Sequence, residues 1–302
     1  MTRLQHQDKL LVALDGSDFT FETVTYISQM ASFKQKHLVL FTVFMGIPSR
    51  YWDLQQEAVF RSRVSEVRSW EAQRKKEAKT YMNNAKERLL ESGFSETALD
   101  ILIRPMERGI ARDLICEAEK GYAALVVGKR GRGGVQGVVL GSVATKLLQK
   151  VSSIPLVLVG RNVRPGRVLI AFDGSKGCMR AVACVADMLM DSGVHINLTH
   201  VVRLQEDENG FIADAEHMIS DAFEKAIDHL VSAGHDRKRI STQIVTGARS
   251  RAEALVKEAD QGGYGTIVFG RRGLSRISEF LMGAVSSKVV QLARGHAVWV
   301  VN

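Results

Sequence analysis

Apolar and polar positions along this chain alternate between short β-branched runs and longer amphipathic stretches. Leu10–Leu14 is a strand-sized apolar run, and from about Phe19 to Phe33 apolar residues recur every three or four positions, the period of a helix with one buried face. His37–Phe44 predicts a second strand, and a long charged stretch from about Leu54 to Ser92 predicts a second helix. A third strand over Leu99–Ile103, a helix over Gly109–Lys120, a strand over Ala123–Val127, a glycine-rich loop, a helix over Val138–Lys150 and a strand over Leu156–Val159 complete the series. Strands that alternate with helices predict a parallel sheet covered on both faces.

The series then begins again. Leu10-Leu-Val-Ala-Leu-Asp-Gly-Ser17 returns 158 positions later as Val168-Leu-Ile-Ala-Phe-Asp-Gly-Ser175. Leu125-Val-Val-Gly-Lys-Arg-Gly131 returns 142 positions later as Ile267-Val-Phe-Gly-Arg-Arg-Gly273, and Leu140-Gly-Ser-Val143 as Met282-Gly-Ala-Val285. Val298–Val301 repeats Leu156–Val159. A repeat of domain length marks boundaries better than composition does. It predicts domains at 1–160 and 167–302, with the polar, turn-prone Arg161–Gly166 as linker. The offsets differ by 16, so the first copy carries an insertion, most of it within Gly46–Ser65. The expected class is α/β: two tandem Rossmann-like domains, each a five-stranded parallel sheet with helices on both faces.

Composition adds limits. With 45% hydrophobic and 25% charged residues and only 4 prolines, the chain is that of a globular protein. Its apolar runs fall far short of the roughly 20 residues of a membrane helix, and Met1–Lys9 lacks the apolar core of a secretory signal. A cytoplasmic location without membrane association is expected. Net charge is +8, with +6 in residues 1–160 and +2 in the rest. That balance permits polyanions, but no aromatic stacking pattern accompanies the Gly/Arg-rich loop, which argues against nucleic acid. Cys116, Cys178 and Cys184 show no paired spacing and are expected to be small buried side chains.

Open α/β sheets bind ligands at the carboxyl ends of their strands, where strand order reverses. There the chain reads Gly128-Lys-Arg-Gly131-Arg-Gly-Gly-Val-Gln-Gly-Val-Val-Leu-Gly141-Ser142, followed by a helix. Glycines let backbone approach a ligand without a Cβ in the way. Successive N–H groups ahead of a helix N-terminus form an anion nest. Lys129, Arg130 and Arg132 add positive charge, and phosphate is the natural guest. Neither a Walker A sequence nor G-x-G-x-x-G after the first strand is present. Asp15, directly after the first strand, is placed to accept from ribose hydroxyls or the adenine amino group. Equally, it is a residue that starts helices. Asp173 is its counterpart.

These residues resemble the universal stress protein family in its tandem two-domain form, over nearly the whole chain. The signature of the family's ATP-binding branch, an Asp closing the first strand with G-2x-G-9x-G-[ST], is met by Asp15, Gly128, Gly131, Gly141 and Ser142. The resemblance implies that Asp15 and the backbone of Val43 hold adenine and ribose. It also implies that Gly128, Gly131, Gly141, Ser142 and Val143 surround the ribose and phosphates of ATP, with or without Mg²⁺. The second copy keeps Asp173, Val201, Gly270, Gly273 and Gly283 but has Ala284 in place of the hydroxyl residue. That loss costs ~1 kcal/mol, or ~1.5–3 kcal/mol toward a charged acceptor, roughly ten- to a hundredfold in affinity. Ser286 and Ser287 stand close enough in sequence to substitute, and Arg271, Arg272 and Arg276 keep that loop basic. The second site is therefore either a nucleotide site or a structural copy. Single-domain members pair near their last strand, which implies a pseudo-dimer of the two repeats, with a homodimer of whole chains and an unidentified protein partner as further expectations.

No catalytic residue and no metal site are expected. Beyond Asp15, the first glycine loop contains no acid, and Glu279 is the one acid near the second. The histidines at 6, 37, 195, 200, 217, 229, 235 and 296 show neither metal spacing nor a triad. The reading is an ATP-binding regulatory module of the stress response rather than an enzyme. A slow ATPase or self-phosphorylating enzyme and a nucleotide-free dimerisation scaffold are the alternatives. Tyr51, Trp52 and Phe60, followed by Trp70 and Arg74-Lys-Lys76, form either a lid or partner surface or a loop packed on its own domain.

Overall fold

The computed structural model describes residues 8–46, 64–131, 139–203, 211–271 and 282–302. The insertion aromatics Tyr51, Trp52 and Phe60 lie outside these residues, as do His6, Arg132, Arg272, Gly273, Arg276 and Glu279. The first half runs β1 (Lys9–Ala13), α1 (Asp18–Gln29), β2 (His37–Phe44), α2 (Val64–Glu91), β3 (Leu99–Pro105), α3 (Ile110–Ala118), β4 (Ala124–Gly128), α4 (Ser142–Lys150) and β5 (Leu156–Val159). The second half repeats it as β6 (Arg167–Ala171), α5 (Lys176–Met188), β7 (His195–Arg203), α6 (Phe211–Ser232), β8 (Ile240–Ala248), α7 (Arg251–Gln261), β9 (Thr266–Gly270), α8 (Ala284–Leu292) and β10 (Ala297–Val301). The apolar period read over Phe19–Phe33 spans α1 and a separate 3-10 turn at Ala31–Gln35.

Both halves order their strands alike, β3-β2-β1-β4-β5 and β8-β7-β6-β9-β10, and every pair within a half is parallel. The last strands meet antiparallel, Val298 opposite Leu158, Trp299 opposite Val157 and Val300 opposite Leu156. A five-stranded parallel sheet was expected in each half, with the repeats pairing near their last strands; the structure joins the two sets of strands there into a single ten-stranded sheet. The reason lies in β5 and β10. Each would otherwise end its sheet with a row of unpaired N–H and C=O groups beside fully buried side chains, and mutual pairing satisfies both edges.

Burial explains why the strands read as unbroken apolar runs rather than alternating ones. Leu10, Leu11, Val12, Leu125, Val126, Val157 and Leu158 are wholly buried because helices cover both faces of the sheet. Each face carries one core layer, and each layer crosses the seam: Leu10, Val157 and Trp299 share one, Leu125, Leu158 and Val298 the other. Polar contacts join the halves as well. The Trp299 indole N–H donates to the Tyr26 hydroxyl over 2.9 Å, and Tyr26 shares a 3.0 Å hydrogen bond with Thr266. Phe33 stacks on Trp299 with ring centres 6.1 Å apart. The linker is pinned too, since the Asn162 N–H donates to Glu22 over 2.9 Å.

The cysteines divide. Cys178 is buried and Cys184 half-buried, and burial pushes both thiols up, to about 11 and about 12. Cys116 is exposed, contrary to the expectation of a small buried side chain, because its position on α3 faces outward between the buried Leu114 and Ala118. His200 lies within β7 and pairs its Nδ1 with the Phe172 carbonyl at 2.8 Å.

Candidate functional site

At the carboxyl ends of the first half's strands lies a cleft of about 660 Å³, within the usual range of small-molecule sites. Asp15, Val43, Gly128, Gly131, Gly141, Ser142 and Val143 all line it. These residues come from β1, β2 and β4 and the turn into α4, so parallel strands side by side bring together positions more than 100 apart in the chain. The switch point between β1 and β4 sets the place.

Asp15 serves two purposes at once. Its Oδ1 accepts from the Ser17 N–H (3.0 Å), the Ser17 hydroxyl (2.6 Å) and the Thr20 hydroxyl (3.2 Å), which orders the turn into α1. Its Oδ2 lies against Gly131, so closely that a Cβ there would collide with it. Gly131 therefore lets the glycine loop pass beside the carboxylate. Gly128 is hemmed in by Phe19 Cβ at 3.2 Å and Thr23 Oγ1 at 3.4 Å from where a Cβ would stand. The loop's ends are drawn together by the Gly141 N–H, which donates to the Lys129 carbonyl over 2.7 Å. Gly141 precedes α4 and has no side chain with which to cap it, so the first N–H groups of the helix open on the cleft with the positive end of its dipole. An anion of phosphate size suits that end.

The other wall is mixed and comes largely from α2, whose Trp70 and Arg74 the sequence sets apart as lid, partner surface or packing on its own domain. Trp70, Arg74, Glu77, Ala78 and Tyr81 line the cleft from this helix, with Met45 after β2 and Ile110 opening α3. Met45, Trp70 and Ile110 are 58%, 41% and 41% exposed, large apolar side chains gathered at one mouth, a grouping that marks ligand surfaces. The Arg74 guanidinium lies 5.5 Å from the Trp70 ring centre and pairs with Glu77 at 3.0 Å. Among these residues Trp70 and Arg74 stand out in the sequence, but Met45, Glu77, Ala78, Tyr81 and Ile110 carry no local pattern that signals the contact. Tyr81 shares a hydrogen bond with Thr42.

The basic residues of the loop divide between two places. Arg130 stays half-buried at the cleft. Lys129, expected to add charge for phosphate, instead sends its Nζ into the seam, where it donates to the carbonyl of Ala293 just past α8. It is 1% exposed, and burial pushes its ammonium down to about 7. Arg271, its repeat equivalent, mirrors it. That guanidinium is buried and donates to the carbonyls of Leu148 (2.9 Å), Gln149 (3.0 Å) and Val151 at the end of α4, and to Asn302 Oδ1 (3.0 Å). Each cation thus closes the negative C-terminal end of the last helix in the opposite half. Arg271 therefore does not charge the second loop.

The second copy differs at its corresponding positions. Asp173 Oδ1 accepts from the Ser175 N–H at 3.0 Å. Gly283 precedes α8 as Gly141 precedes α4, and its N–H donates to the Arg271 carbonyl over 3.1 Å. Ser286, considered as a substitute for the missing hydroxyl, is buried and donates to the Gly270 carbonyl at 3.3 Å. It faces the sheet rather than a ligand. Val201 and Gly270 are buried, where Val43 and Gly128 are half-buried. Gly273 lies outside the described residues.

Among the described residues, no group of three or more His, Cys, Asp or Glu side chains is arranged to hold a metal ion. No described helix is long and apolar enough to cross a membrane.

The model of the universal stress protein family matches this chain twice, over residues 7–160 and 165–302. The universal stress protein YxiE of Bacillus subtilis is 29% identical over 166 residues, covering 50% of this chain and 98% of that protein. Among solved structures, a universal stress protein from Archaeoglobus fulgidus superposes with a TM-score of 0.68 at 17% identity, covering 98% of both chains. A functionally unknown protein from Pseudomonas aeruginosa superposes with a TM-score of 0.60 at 13% identity, over 97% of this chain and 92% of its own. Those two likenesses concern the fold.

Proposed function

Because the chain belongs to the universal stress protein family, with one family domain in each half, we propose that its first domain binds ATP and that the whole chain is a nucleotide-responsive regulatory module of the stress response in the cytoplasm. The observation that carries this reading is the meeting of Asp15, Val43, Gly128, Gly131, Gly141, Ser142 and Val143 on the walls of one cleft. The residues present fit the ligand. Val43 offers backbone beside an apolar wall for a purine ring, and Asp15 accepts from ribose hydroxyls. The uncapped start of α4, the Ser142 hydroxyl and Arg130 face the phosphates. A Cβ at Gly131 would push Asp15 out of place.

Binding rather than turnover suits this cleft. Hydrolysis needs a group that orients water and carboxylates arranged for a metal ion. The carboxylates lining the cleft are Asp15, whose Oδ1 is held by three donors, and Glu77, which pairs with Arg74. Occupancy regulates only if nucleotide favours one conformation over another. The loop carrying Gly128 and Gly131 supplies the link, since it also carries the seam residue Lys129.

The test is the nucleotide content of acid-quenched, freshly purified protein, with calorimetric titration of stripped protein by ATP. ATP is expected to bind, and Ser142→Ala and Asp15→Ala are each expected to weaken it roughly ten- to a hundredfold, by loss of ~1.5–3 kcal/mol of charged hydrogen bonding. If wild-type protein neither carries nor takes up nucleotide, the ATP reading fails and a nucleotide-free scaffold replaces it.

A further inference from the structure

The two copies share a fold and most of a motif, yet they differ at the first residue of one helix. Buried Ala111, Leu114 and Ala118 of α3 correspond to buried Ala252, Leu255 and Ala259 of α7 at identical spacing, which aligns Ile110 with Arg251. In the first half Ile110 is an exposed apolar wall at the mouth of the cleft, near the end of β2 where Val43 lies. In the second half the Arg251 side chain turns inward, and its Nε donates to the carbonyl of Val201, the counterpart of Val43, over 3.2 Å.

The rest of the second copy is closely packed as well. Val201 is 4% exposed. Gly270 is buried against the backbone of Gly177, closer than any Cβ would allow, whereas its counterpart Gly128 has more room, with the Arg130 carbonyl and Phe19 Cβ 3.1 and 3.2 Å from where a Cβ would stand, and borders the cleft. At the surface Lys288 of α8 bonds Ser250 (3.3 Å) and Glu253 (2.7 Å) at the start of α7, joining the two helices. The Val201 carbonyl is the acceptor a purine amino group would need. A guanidinium already donates to it, so a ligand would meet a charged side chain at that carbonyl and compete with it for the space.

We propose that Arg251 is the residue that closes the second copy: it fills the base end of that cleft from within, so the chain carries one adenine nucleotide for its two domains. The proposal rests on the ATP reading of the first site. Ile110 and Arg251 then distinguish a receptive copy from a closed one, and Ala284 is a secondary loss.

Equilibrium ATP binding to four full-length proteins tests this. Wild type is expected to bind one equivalent per chain, and Ala284→Ser alone also one. Arg251→Ile with Ala284→Ser, which restores the first copy's residues, is expected to bind two. Adding Asp173→Ala to that pair should remove the gained equivalent and leave the first. Arg251→Ala with Ala284→Ser serves as the second route if the isoleucine variant melts early. The proposal is overturned if wild type binds two equivalents, or if a double variant that melts like wild type gains none. The gain is read as a difference from wild type, so it stands apart from the first site: no binding by wild type defeats the ATP reading, while one new equivalent in the double variant still upholds the role of Arg251.

Discussion

At the residue scale, several side chains settle structure and site together. Asp15 admits two readings, helix starter and ligand acceptor, and the structure accommodates both because the carboxylate's oxygens face different ways: Oδ1 into the turn and Oδ2 toward Gly131. That division was not legible in the sequence, since one Asp after a strand has the same neighbours under either reading. Tyr26 carried no signal at all beyond its apolar period. Buried at the seam, with its hydroxyl pushed far above the usual tyrosine range by burial, it links Trp299 and Thr266 across the two halves. Tyr26→Phe leaves a buried indole N–H and a buried hydroxyl without this partner. It is expected to lower unfolding stability by about 1–3 kcal/mol, read as a lower urea midpoint at unchanged slope.

At the scale of elements, the sequence located strands well because both faces of a parallel sheet are apolar, and it marked Trp70 and Arg74 of the charged α2 without deciding whether they form a lid, a partner surface or packing. Most of α2's length is solvated, and the few residues that reach the cleft, Trp70 and Tyr81 among them, do so through packing. The reciprocal caps on α4 and α8 were equally hidden. Lys129 and Arg271 sit in a loop motif that reads as phosphate-binding, but the closed seam draws their side chains to orphan carbonyls of the opposite half. Lys129 gives this arrangement a pH signature. Its folded value is about 7 against an ordinary 10.5, so between those limits the unfolded chain holds a proton that the folded chain lacks. Stability therefore rises with pH through this window, and the cost of the buried cation is complete below it. His296, lowered by burial from 6.5, acts below the window, and Tyr26 acts above pH 10. Between pH 7 and 8, below the range where the raised thiols of Cys178 and Cys184 begin to oppose the trend, urea midpoints should climb for wild type and stay nearly flat for Lys129→Met. A slope unchanged in the variant would show that another group is responsible.

On the scale of the whole molecule, β5 and β10 turn two domains into one sheet. Residues 1–166 expressed alone would expose the edge of β5, whose Leu156–Val159 are at most 2% exposed in the full chain. They are expected to self-associate as a dimer in sedimentation, and a stable, soluble monomer would contradict the importance of the seam. The repeat, the order of strands and helices and the spacing of one glycine motif were determined by the sequence itself. Each depends on local period or fixed spacing, which survives in one dimension. Only the tertiary structure decided that the repeats pair as one continuous sheet through antiparallel β5 and β10, that Lys129 and Arg271 leave their loops for the seam, how α2 walls the first cleft, and that Arg251 reaches the Val201 carbonyl in the second. Those outcomes turn on where a side chain points once elements distant in sequence have packed, and a wholly buried cation or a closed cleft has the same local pattern as an exposed or open one.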